Sequence, residues 1–276
     1  MSRFKEIYSS INSGIPYNLH GHTQYCDGRA AMEEFASAAA DAGMSHYGFS
    51  PHSPLPISSP CNMAAGDVKE YLQEVENLHK RYEGRVEILA SMEIDYLGKE
   101  WGPSYDYFQS LPLDYRIGSV HFITNQDGEY IDVDGSAERF ARYLKQYFRN
   151  DLRYVVETFY SQSLQMVERG GFDIIGHFDK IAYNASTVEP DIENTDWYRA
   201  LVTELTDNII AKGIAVEINT KAYAANHRFF PSPVLWPRIV SSGIPIVVNS
   251  DAHYPERINA SRQDAFELLA SISVKS

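Results

Sequence analysis

Short apolar segments alternate along this chain with longer segments in which apolar residues recur every three or four positions. The short segments have the length of buried strands, and the longer ones have the period of amphipathic helices. Regular alternation of the two favours parallel strands joined by helical crossovers, and therefore an α/β fold. The seven predicted strands are Ile15–His20, His46–Ser50, Val86–Ile94, Tyr115–Phe122, Phe172–His177, Ile214–Asn219 and Ile244–Ser250.

The helical segments also carry boundary signals. Asp67 is predicted to cap a helix, with the side chain of Glu70 reaching back to the backbone. The apolar faces of the predicted helices comprise Val68, Tyr71, Leu72, Val75, Leu78 and Tyr82; Phe140, Tyr143, Leu144 and Tyr147; Leu152, Val155, Val156 and Phe159; Tyr198, Leu201, Leu205 and Ile209; and Leu235, Ile239 and Val240. Glycines suited to a left-handed helix terminus follow at Gly43, Gly84, Gly170, Gly213 and Gly243.

No linker, internal repeat or low-complexity segment divides the chain, so residues 1–276 are interpreted as a single domain. This length lies within the range of one α/β barrel. Seven strand–helix units indicate a closed or nearly closed barrel, and a doubly wound open sheet is the structural alternative. A chain of this size buries roughly three quarters of its unfolded surface, so it does not need a metal ion to fold. Any metal site is therefore interpreted as functional.

The balance of charges argues against a nucleic-acid partner. The chain has 24 basic and 37 acidic side chains, a formal charge of −13, and no run of basic residues. Cys26 and Cys61 have no metal-finger spacing and indicate free thiols in a reducing compartment. Residues 1–14 lack the apolar core of a signal peptide, and no apolar run is long enough to span a membrane. A cytoplasmic location without membrane association is therefore expected.

Histidines and carboxylates follow the predicted strands at the point where each strand ends. Such a residue at one strand end is common, but here six of the nine histidines lie at corresponding ends. Because the carboxyl ends of parallel strands meet at one mouth of a barrel, these side chains are expected to converge. The candidate metal ligands are His20, His22, Asp27, His52, Glu93, His121, His177, Asp251 and His253.

The ligand types indicate which metals the site binds. Imidazole and carboxylate without thiolate suit Zn, Mn or Fe, and suit Mg or Ca poorly. Nine ligands are too many for one ion, and they fit two or three divalent ions, especially if Glu93 bridges two of them. The sequence therefore predicts a metal-dependent hydrolase, in which bound ions make water nucleophilic at neutral pH.

With these residues in place, the chain resembles the PHP (polymerase and histidinol phosphatase) family, and specifically its histidinol-phosphatase branch. The resemblance covers roughly residues 16 to 270. The matching motifs are HGHT at 20–23, CDG at 26–28, SPHS at 50–53, MEIDY at 92–96, DYRIGSVHF at 114–122, GHFD at 176–179, EINT at 217–220 and SDAH at 250–253.

The resemblance implies a distorted seven-stranded (β/α)7 TIM-like barrel that holds three divalent metals. It implies hydrolysis of a phosphomonoester, specifically L-histidinol phosphate in histidine biosynthesis, by attack of a metal-bridged hydroxide on phosphorus. Glu93, Asp251 and His253 are expected to be catalytic. The implied ligands are His20, His22, Glu93 and Asp251 for the first metal, Glu93, His121 and His177 for the second, and Asp27, His52 and His253 for the third.

One segment departs from the family pattern. After the EINT motif, relatives usually carry a Gly-Leu-Arg-like run whose arginine reaches the substrate phosphate, whereas this chain reads KAYAANHR at 221–228. Lys221, Arg228 and Lys180 are therefore the candidate phosphate contacts. Tyr96 is expected to contact the organic part of the substrate. Asp95, Asp179 and Glu217 are further candidates for this contact.

Three other functions share some of these features. An amidohydrolase-type C–N hydrolase also begins with His-x-His and ends with an aspartate, but it does not need Glu93, His121 and His253 together. A PHP-family enzyme acting on nucleotides or another small ester would keep the metals, although a nuclease would favour a basic groove. A non-catalytic module would be expected to lose ligands. The expected partner is thus a small-molecule phosphate ester.

Overall fold

The computed structural model describes residues 3–11 and 15–273, so the predicted domain ends at 1 and 276 lie outside the described residues. The strands are β1 (Tyr17–Gly21), β2 (His46–Phe49), β3 (Glu87–Ala90), β4 (Glu93–Asp95), β5 (Ile117–Ser119), β6 (Phe122–Thr124), β7 (Tyr130–Asp132), β8 (Ile174–Ile175), β9 (Ala215–Asn219) and β10 (Ile246–Asn249). The α-helices are α1 (Arg3–Ile11), α2 (Met32–Asp41), α3 (Val68–Arg81), α4 (Asp106–Ser110), α5 (Ala137–Tyr147), α6 (Leu152–Arg169), α7 (Ile181–Val188), α8 (Asp196–Lys212), α9 (Tyr223–Asn226), α10 (Trp236–Ser242) and α11 (Arg262–Ser273).

Parallel strands form the centre of the molecule, which confirms the predicted α/β class. One sheet has the order β1-β2-β3, and a second has the order β10-β9-β8-β5-β4. Every strand pair in these two sheets is parallel, whereas β6 and β7 form an antiparallel hairpin that the hydrophobic pattern did not predict. The predicted third strand is divided at Ser91 and Met92, and its halves β3 and β4 pair in different sheets.

Single bridges join both edges of the five-stranded sheet to the three-stranded one. Gly21 pairs with Ala252, and His52 pairs with Glu93, each in the parallel sense. The backbone N–H of His22 donates to the carbonyl of Ala252 at 2.9 Å, and the N–H of Ser53 donates to that of Glu93 at 2.9 Å. Among the described residues, pairing between the sheets is limited to these bridges, so the strands do not form one uninterrupted barrel ladder.

The helix α1 covers the amino ends of the strands. Its buried residues Phe4, Ile7 and Ile11 pack in one cluster with strand residues such as Leu19 and Leu89. Full burial of an apolar side chain of this size contributes about 1.5 to 3 kcal/mol to stability. This packing covers the amino ends of the strands with hydrophobic side chains. The polar residues lie at the opposite, carboxyl ends of the strands. None of the described helices is long and apolar enough to cross a membrane.

The predicted helices are confirmed as α3, α5, α6, α8 and α10, but their termini differ in detail. The predicted cap at Asp67 is wrong, because its side chain makes no capping hydrogen bond. Asp67 already lies in a 3-10 turn with φ −89° and ψ −11°, whereas a capping residue needs an extended backbone. Gly213 and Gly243 end α8 and α10 in the left-handed conformation as predicted, while Gly170 ends α6 at φ 70° and ψ −147°.

Candidate metal centre

The nine predicted ligands converge at the carboxyl ends of the parallel strands. Each lies at or just beyond a strand, and eight of them form overlapping groups of potential ligands, while His177 Nε2 joins the cluster 2.8 Å from Glu93 Oε1. Within each group, the ligand atoms lie within 4.8 Å of one another. The groups are His22, Asp27, His52 and His253; His20, His22 and Asp251; and His52, Glu93 and His121.

The carboxylate of Glu93 lies at the centre of the cluster and is 1% exposed. Its two oxygens face five imidazole rings, which lie at the carboxyl ends of strands β1, β2, β5 and β8. Oε2 lies 3.1 Å from His52 Nδ1, 3.3 Å from His20 Nε2 and 3.7 Å from His22 Nε2, and Oε1 lies 2.8 Å from His177 Nε2 and 3.4 Å from His121 Nε2. A carboxylate surrounded in this way can bridge two cations.

Asp251 and Asp27 flank the ring of His22 on opposite sides. Asp251 Oδ1 lies 2.9 Å from His22 Nε2, and Asp27 Oδ1 lies 3.4 Å from His22 Nδ1. His253 approaches both carboxylates, with Nδ1 3.4 Å from Asp251 and Nε2 3.3 Å from Asp27. Asp251 has φ 49°, in the left-handed region that non-glycine residues rarely adopt. Such strain is common where a side chain is aimed at a functional site.

Burial and neighbouring charges keep two of these side chains, His22 and Asp251, in the forms that bind metals. Burial lowers the pKa of His22 to about 3, and the rings of His253 and His52 contribute to the same shift. Burial raises the pKa of Asp251, but Lys221 and His20 outweigh burial and hold this pKa well below its usual value. The imidazole of His22 is therefore neutral and the carboxylate of Asp251 is ionised, as metal coordination requires.

Buried atoms without hydrogen bonds provide a test of whether metal ions fit this cluster. A buried polar atom without a partner costs about 1 to 3 kcal/mol, and native proteins contain few of them. Among the described residues, six ligand atoms of the cluster are buried and make no hydrogen bond: His20 Nε2, His22 Nε2, Asp27 Oδ1, His52 Nδ1, Glu93 Oε2 and His121 Nε2. These atoms converge on one region and are the donor types that Zn, Mn or Fe prefer, so the residues fit divalent ions.

Two buried carboxylates, on the side of the rings that faces away from the cluster, orient His20 and His121. His20 Nδ1 lies 2.7 Å from Glu217 Oε1, and His121 Nδ1 lies 2.8 Å from Asp95 Oδ1. A carboxylate at Nδ1 holds the proton there and leaves the Nε2 lone pair facing the cluster, an arrangement typical of metal-ligating histidines. Glu217 and Asp95 were expected to contact the substrate, but both are at most 1% exposed and are engaged by these rings.

A cavity of about 170 Å³ opens onto the cluster. Lys180 and Lys221, two of the candidate phosphate contacts, line it together with the proposed ligands. Lys221 Nζ lies 3.1 Å from Asp251 Oδ1, and Lys180 Nζ donates to Asp134 Oδ2 at 2.6 Å. Both ammonium groups are thus within reach of an anion held in this cavity.

The other two candidate substrate contacts lie away from this cavity. Arg228 donates two hydrogen bonds, of 2.7 and 2.6 Å, to the carboxylate of Glu193. Tyr96 is 1% exposed and packs in the largest hydrophobic cluster of the molecule. The structure therefore places neither side chain where it was expected.

Asp132, Asp134 and Arg139 line the cavity and were missed by the sequence pattern. They lie at and after the unpredicted hairpin of β6 and β7. Its signal was present as the Asp127-Gly128 pair between two short β-branched and aromatic segments. Arg139 Nη2 donates to Asp132 Oδ2 at 2.7 Å and to the carbonyl of Asp134 at 2.9 Å, which holds this wall together.

The parallel α/β fold and the buried cluster of imidazoles and carboxylates define a protein with a candidate polynuclear metal centre. The PHP domain model matches residues 18–221, and the chain belongs to this family, as predicted. A protein of Deinococcus radiodurans named probable histidinol-phosphatase is 26% identical over 262 residues, 92% of each chain.

Two solved structures share the fold. A candidate histidinol phosphatase from Listeria monocytogenes superposes with a TM-score of 0.78 at 18% identity, over 90% of this chain and 99% of that one. Histidinol phosphate phosphatase from Lactococcus lactis superposes with a TM-score of 0.71 at 20% identity, over 93% of each chain. The Lactococcus protein was solved as a complex with zinc, L-histidinol and phosphate.

Proposed function

We propose that this chain is a metal-dependent phosphomonoesterase that hydrolyses L-histidinol phosphate to L-histidinol and phosphate. The observation that carries the proposal is the convergence of six unpaired buried ligand atoms, Glu93 Oε2 among them, beside a cavity lined by Lys180 and Lys221. The substrate is supported by the name of the Deinococcus relative and by the ligands of the Lactococcus protein.

The proposed metal content is two or three divalent ions of zinc, manganese or iron. The proposed ligands are His20, His22, Glu93 and Asp251 for one ion, Glu93, His121 and His177 for another, and Asp27, His52 and His253 for a third. When bound, such ions supply the Lewis acidity that makes water nucleophilic near neutral pH and offsets charge on phosphoryl oxygens. Glu93, Asp251 and His253 would be catalytic in this sense.

The side chains of this protein have separate parts in the proposed reaction. Lys221 and Lys180 would hold the phosphoryl group by charge-assisted hydrogen bonds. Glu217 and Asp95 would hold the rings of His20 and His121 in the orientation that the site needs. Burial of the cluster at one end of the cavity keeps bulk water from competing for these contacts.

We also propose that the two parallel sheets close into a distorted seven-stranded (β/α)7 barrel within one domain spanning residues 1–276. The bridges Gly21–Ala252 and His52–Glu93 support closure, since they join both edges of the five-stranded sheet to the three-stranded one. A cytoplasmic location is proposed because Cys26 and Cys61 are free thiols. A small phosphate ester rather than a nucleic acid is the proposed partner, in keeping with the net charge of −13.

Phosphate release from a panel of esters tests this function. Zinc-loaded and manganese-loaded protein would be assayed with L-histidinol phosphate, nucleoside monophosphates and other small monoesters, and with an N-acyl amino acid. We expect L-histidinol phosphate to have the highest kcat/KM. Failure of the metal-loaded protein to release phosphate from any ester would overturn the proposal, and cleavage of the amide alone would favour a C–N hydrolase.

A further inference from the structure

The ammonium of Lys221 contacts two of the proposed metal ligands. Its Nζ lies 3.1 Å from Asp251 Oδ1 and 3.2 Å from His253 Nε2. Asp251 is a proposed ligand of one ion, and His253 is a proposed ligand of the ion assigned to Asp27, His52 and His253, which we call the third ion. A side chain of this protein therefore brings a positive charge to the same atoms that metal ions would use.

The contact with His253 engages the atom through which this ring would bind an ion. Nδ1 lies 3.0 Å from the backbone carbonyl oxygen of Asp251, which only accepts, so Nδ1 carries the ring proton. Nε2 of this neutral ring is then an acceptor with one lone pair, and Lys221 donates to it. Coordination of an ion through Nε2 needs the same lone pair. The hydrogen bond from Lys221 and coordination of the third ion by His253 therefore exclude each other.

Asp251, in contrast, can accept from Lys221 and bind an ion at the same time. A carboxylate has two oxygens with about four lone-pair sites between them. Besides Lys221, Oδ1 of Asp251 faces His22 Nε2 at 2.9 Å, and Oδ2 accepts a hydrogen bond of 3.1 Å from Asn219 Nδ2. The competition between Lys221 and a metal ion is therefore confined to His253, and thus to the third ion.

The side chain of Lys221 can leave this position without a change in the fold. Its backbone N–H donates to Asn219 Oδ1 at 3.1 Å, and the preceding Thr220 is tied to Asn249 by a backbone hydrogen bond of 2.9 Å. The side chain itself is 41% exposed, and its ammonium is carried on a flexible four-carbon chain. The ammonium can therefore move from His253 into solvent, or onto an anion in the cavity, while the backbone stays in place.

We propose that Lys221 competes with the third metal ion for His253 and thereby lowers the affinity of the site for this ion. The inference rests on the proposed function, since it concerns the occupancy of the proposed metal centre. A ligand that binds only one of two states has its affinity reduced by the fraction of molecules in that state. The third ion therefore binds to those molecules in which the ammonium has left His253. The displaced ammonium is then free for the phosphoryl contact proposed for Lys221.

A matched pair of substitutions tests the competition. Lys221→Met removes the ammonium that donates to His253. Lys180→Met removes an ammonium from the same cavity that donates to Asp134, which is not a proposed ligand. Lys180 is 19% exposed, so water screens its charge less than that of Lys221. A purely electrostatic effect on zinc affinity would therefore be at least as large in Lys180→Met as in Lys221→Met.

Zinc affinity would be measured by titrating the zinc-loaded wild type and both variants with a chelator, and bound zinc would be counted by elemental analysis. The zinc ion that His253→Ala fails to retain identifies the third ion. We expect Lys221→Met to lower the Kd of this ion by about tenfold or more, which corresponds to about 1.4 kcal/mol. Lys221→Ala, which also lacks the ammonium, should give the same gain. The Kd in Lys180→Met should change by less than about threefold.

Three results would overturn the inference: an unchanged Kd of the third ion in Lys221→Met, an equal gain in Lys180→Met, or no third zinc ion in either the wild type or Lys221→Met. These results are distinct from failure of the proposed function, because no ester is present in the titration. A protein that gains zinc affinity selectively in Lys221→Met, yet releases no phosphate from any ester, would contradict the proposed hydrolysis and support the competition.

Discussion

The carboxylate of Glu217 accepts a hydrogen bond of 2.7 Å from Nδ1 of His20, so that Nε2 of the same ring faces Glu93 at 3.3 Å. Glu217 is fully buried and also accepts hydrogen bonds from the side chains of Asn249 and Asn219, at 3.0 and 3.1 Å. Burial raises the pKa of Glu217, but His20 outweighs burial and lowers it below its usual value. Glu217 thus remains ionised and positions a proposed metal ligand.

Glu217→Gln should weaken metal binding without removing a ligand. The amide has one acceptor oxygen where the carboxylate has two, so the donors around it cannot all be satisfied. Loss of such an outer partner typically costs about 10-fold to 100-fold in metal affinity. Zinc affinity would be measured by competition with a chelator, with Glu204→Gln on the exposed face of α8 as control. Equal zinc affinity in the wild type and Glu217→Gln would contradict the positioning role.

Glu93→Ala should remove more than one ion. Its two oxygens face the rings of five histidines. Loss of this carboxylate removes a ligand from both of the ions that it is proposed to bridge. We expect the protein to lose two ions per chain by elemental analysis and to lose phosphatase activity. Circular dichroism would verify that the variant remains folded. Retention of the full metal content and of activity would refute the bridging role of Glu93.

Lys180→Met should impair catalysis while leaving the metal content unchanged. Lys180 Nζ is part of the cavity wall and is not among the groups that could hold a metal. Removal of one donor to a transferring phosphoryl group lowers kcat by about 10² to 10³. Lys180→Arg should recover part of the loss because it keeps the charge. Steady-state kinetics with a colorimetric phosphate assay would measure the effect. Wild-type kinetics in Lys180→Met would exclude a contact with phosphate.

Arg228→Met should affect stability more than activity. Its guanidinium pairs with Glu193 in a partly buried, two-point contact, and it does not line the cavity of the metal centre. Loss of the pair should lower the free energy of unfolding by about 1 to 3 kcal/mol. A thermal unfolding series with Glu193→Gln and the double variant would isolate the pair energy. A large loss of kcat/KM at unchanged Tm would instead support the contact between Arg228 and the substrate phosphate that the sequence predicts.

The sequence predicts the strands of the parallel sheets and the polar side chains at the strand ends. All seven strand segments lie where the apolar runs placed them, because buried parallel strands consist of continuous apolar residues. The ligand cluster was predictable as well, because the carboxyl ends of parallel strands meet on one side of the molecule. The break at Ser91 and Met92 could not be predicted, since it depends on which neighbouring strand each half pairs with.

Side chains on the connecting loops were harder to predict. Asp134 follows a hairpin of two three-residue strands, too short for their alternation to be recognised. Arg228 and Tyr96 were predicted as substrate contacts because of their chemical type and because they lie near motifs in the sequence. Tertiary contacts instead determine where each side chain points. Arg228 pairs with Glu193, and Tyr96 packs in the hydrophobic core.

A zinc titration of metal-free protein tests the account most directly. Bound zinc and the rate of phosphate release from L-histidinol phosphate would be measured on the same samples. We predict no activity without metal, and a rise that reaches its plateau at two or three ions per chain. Full activity in the metal-free protein, or a saturated cluster that releases no phosphate, would contradict the account.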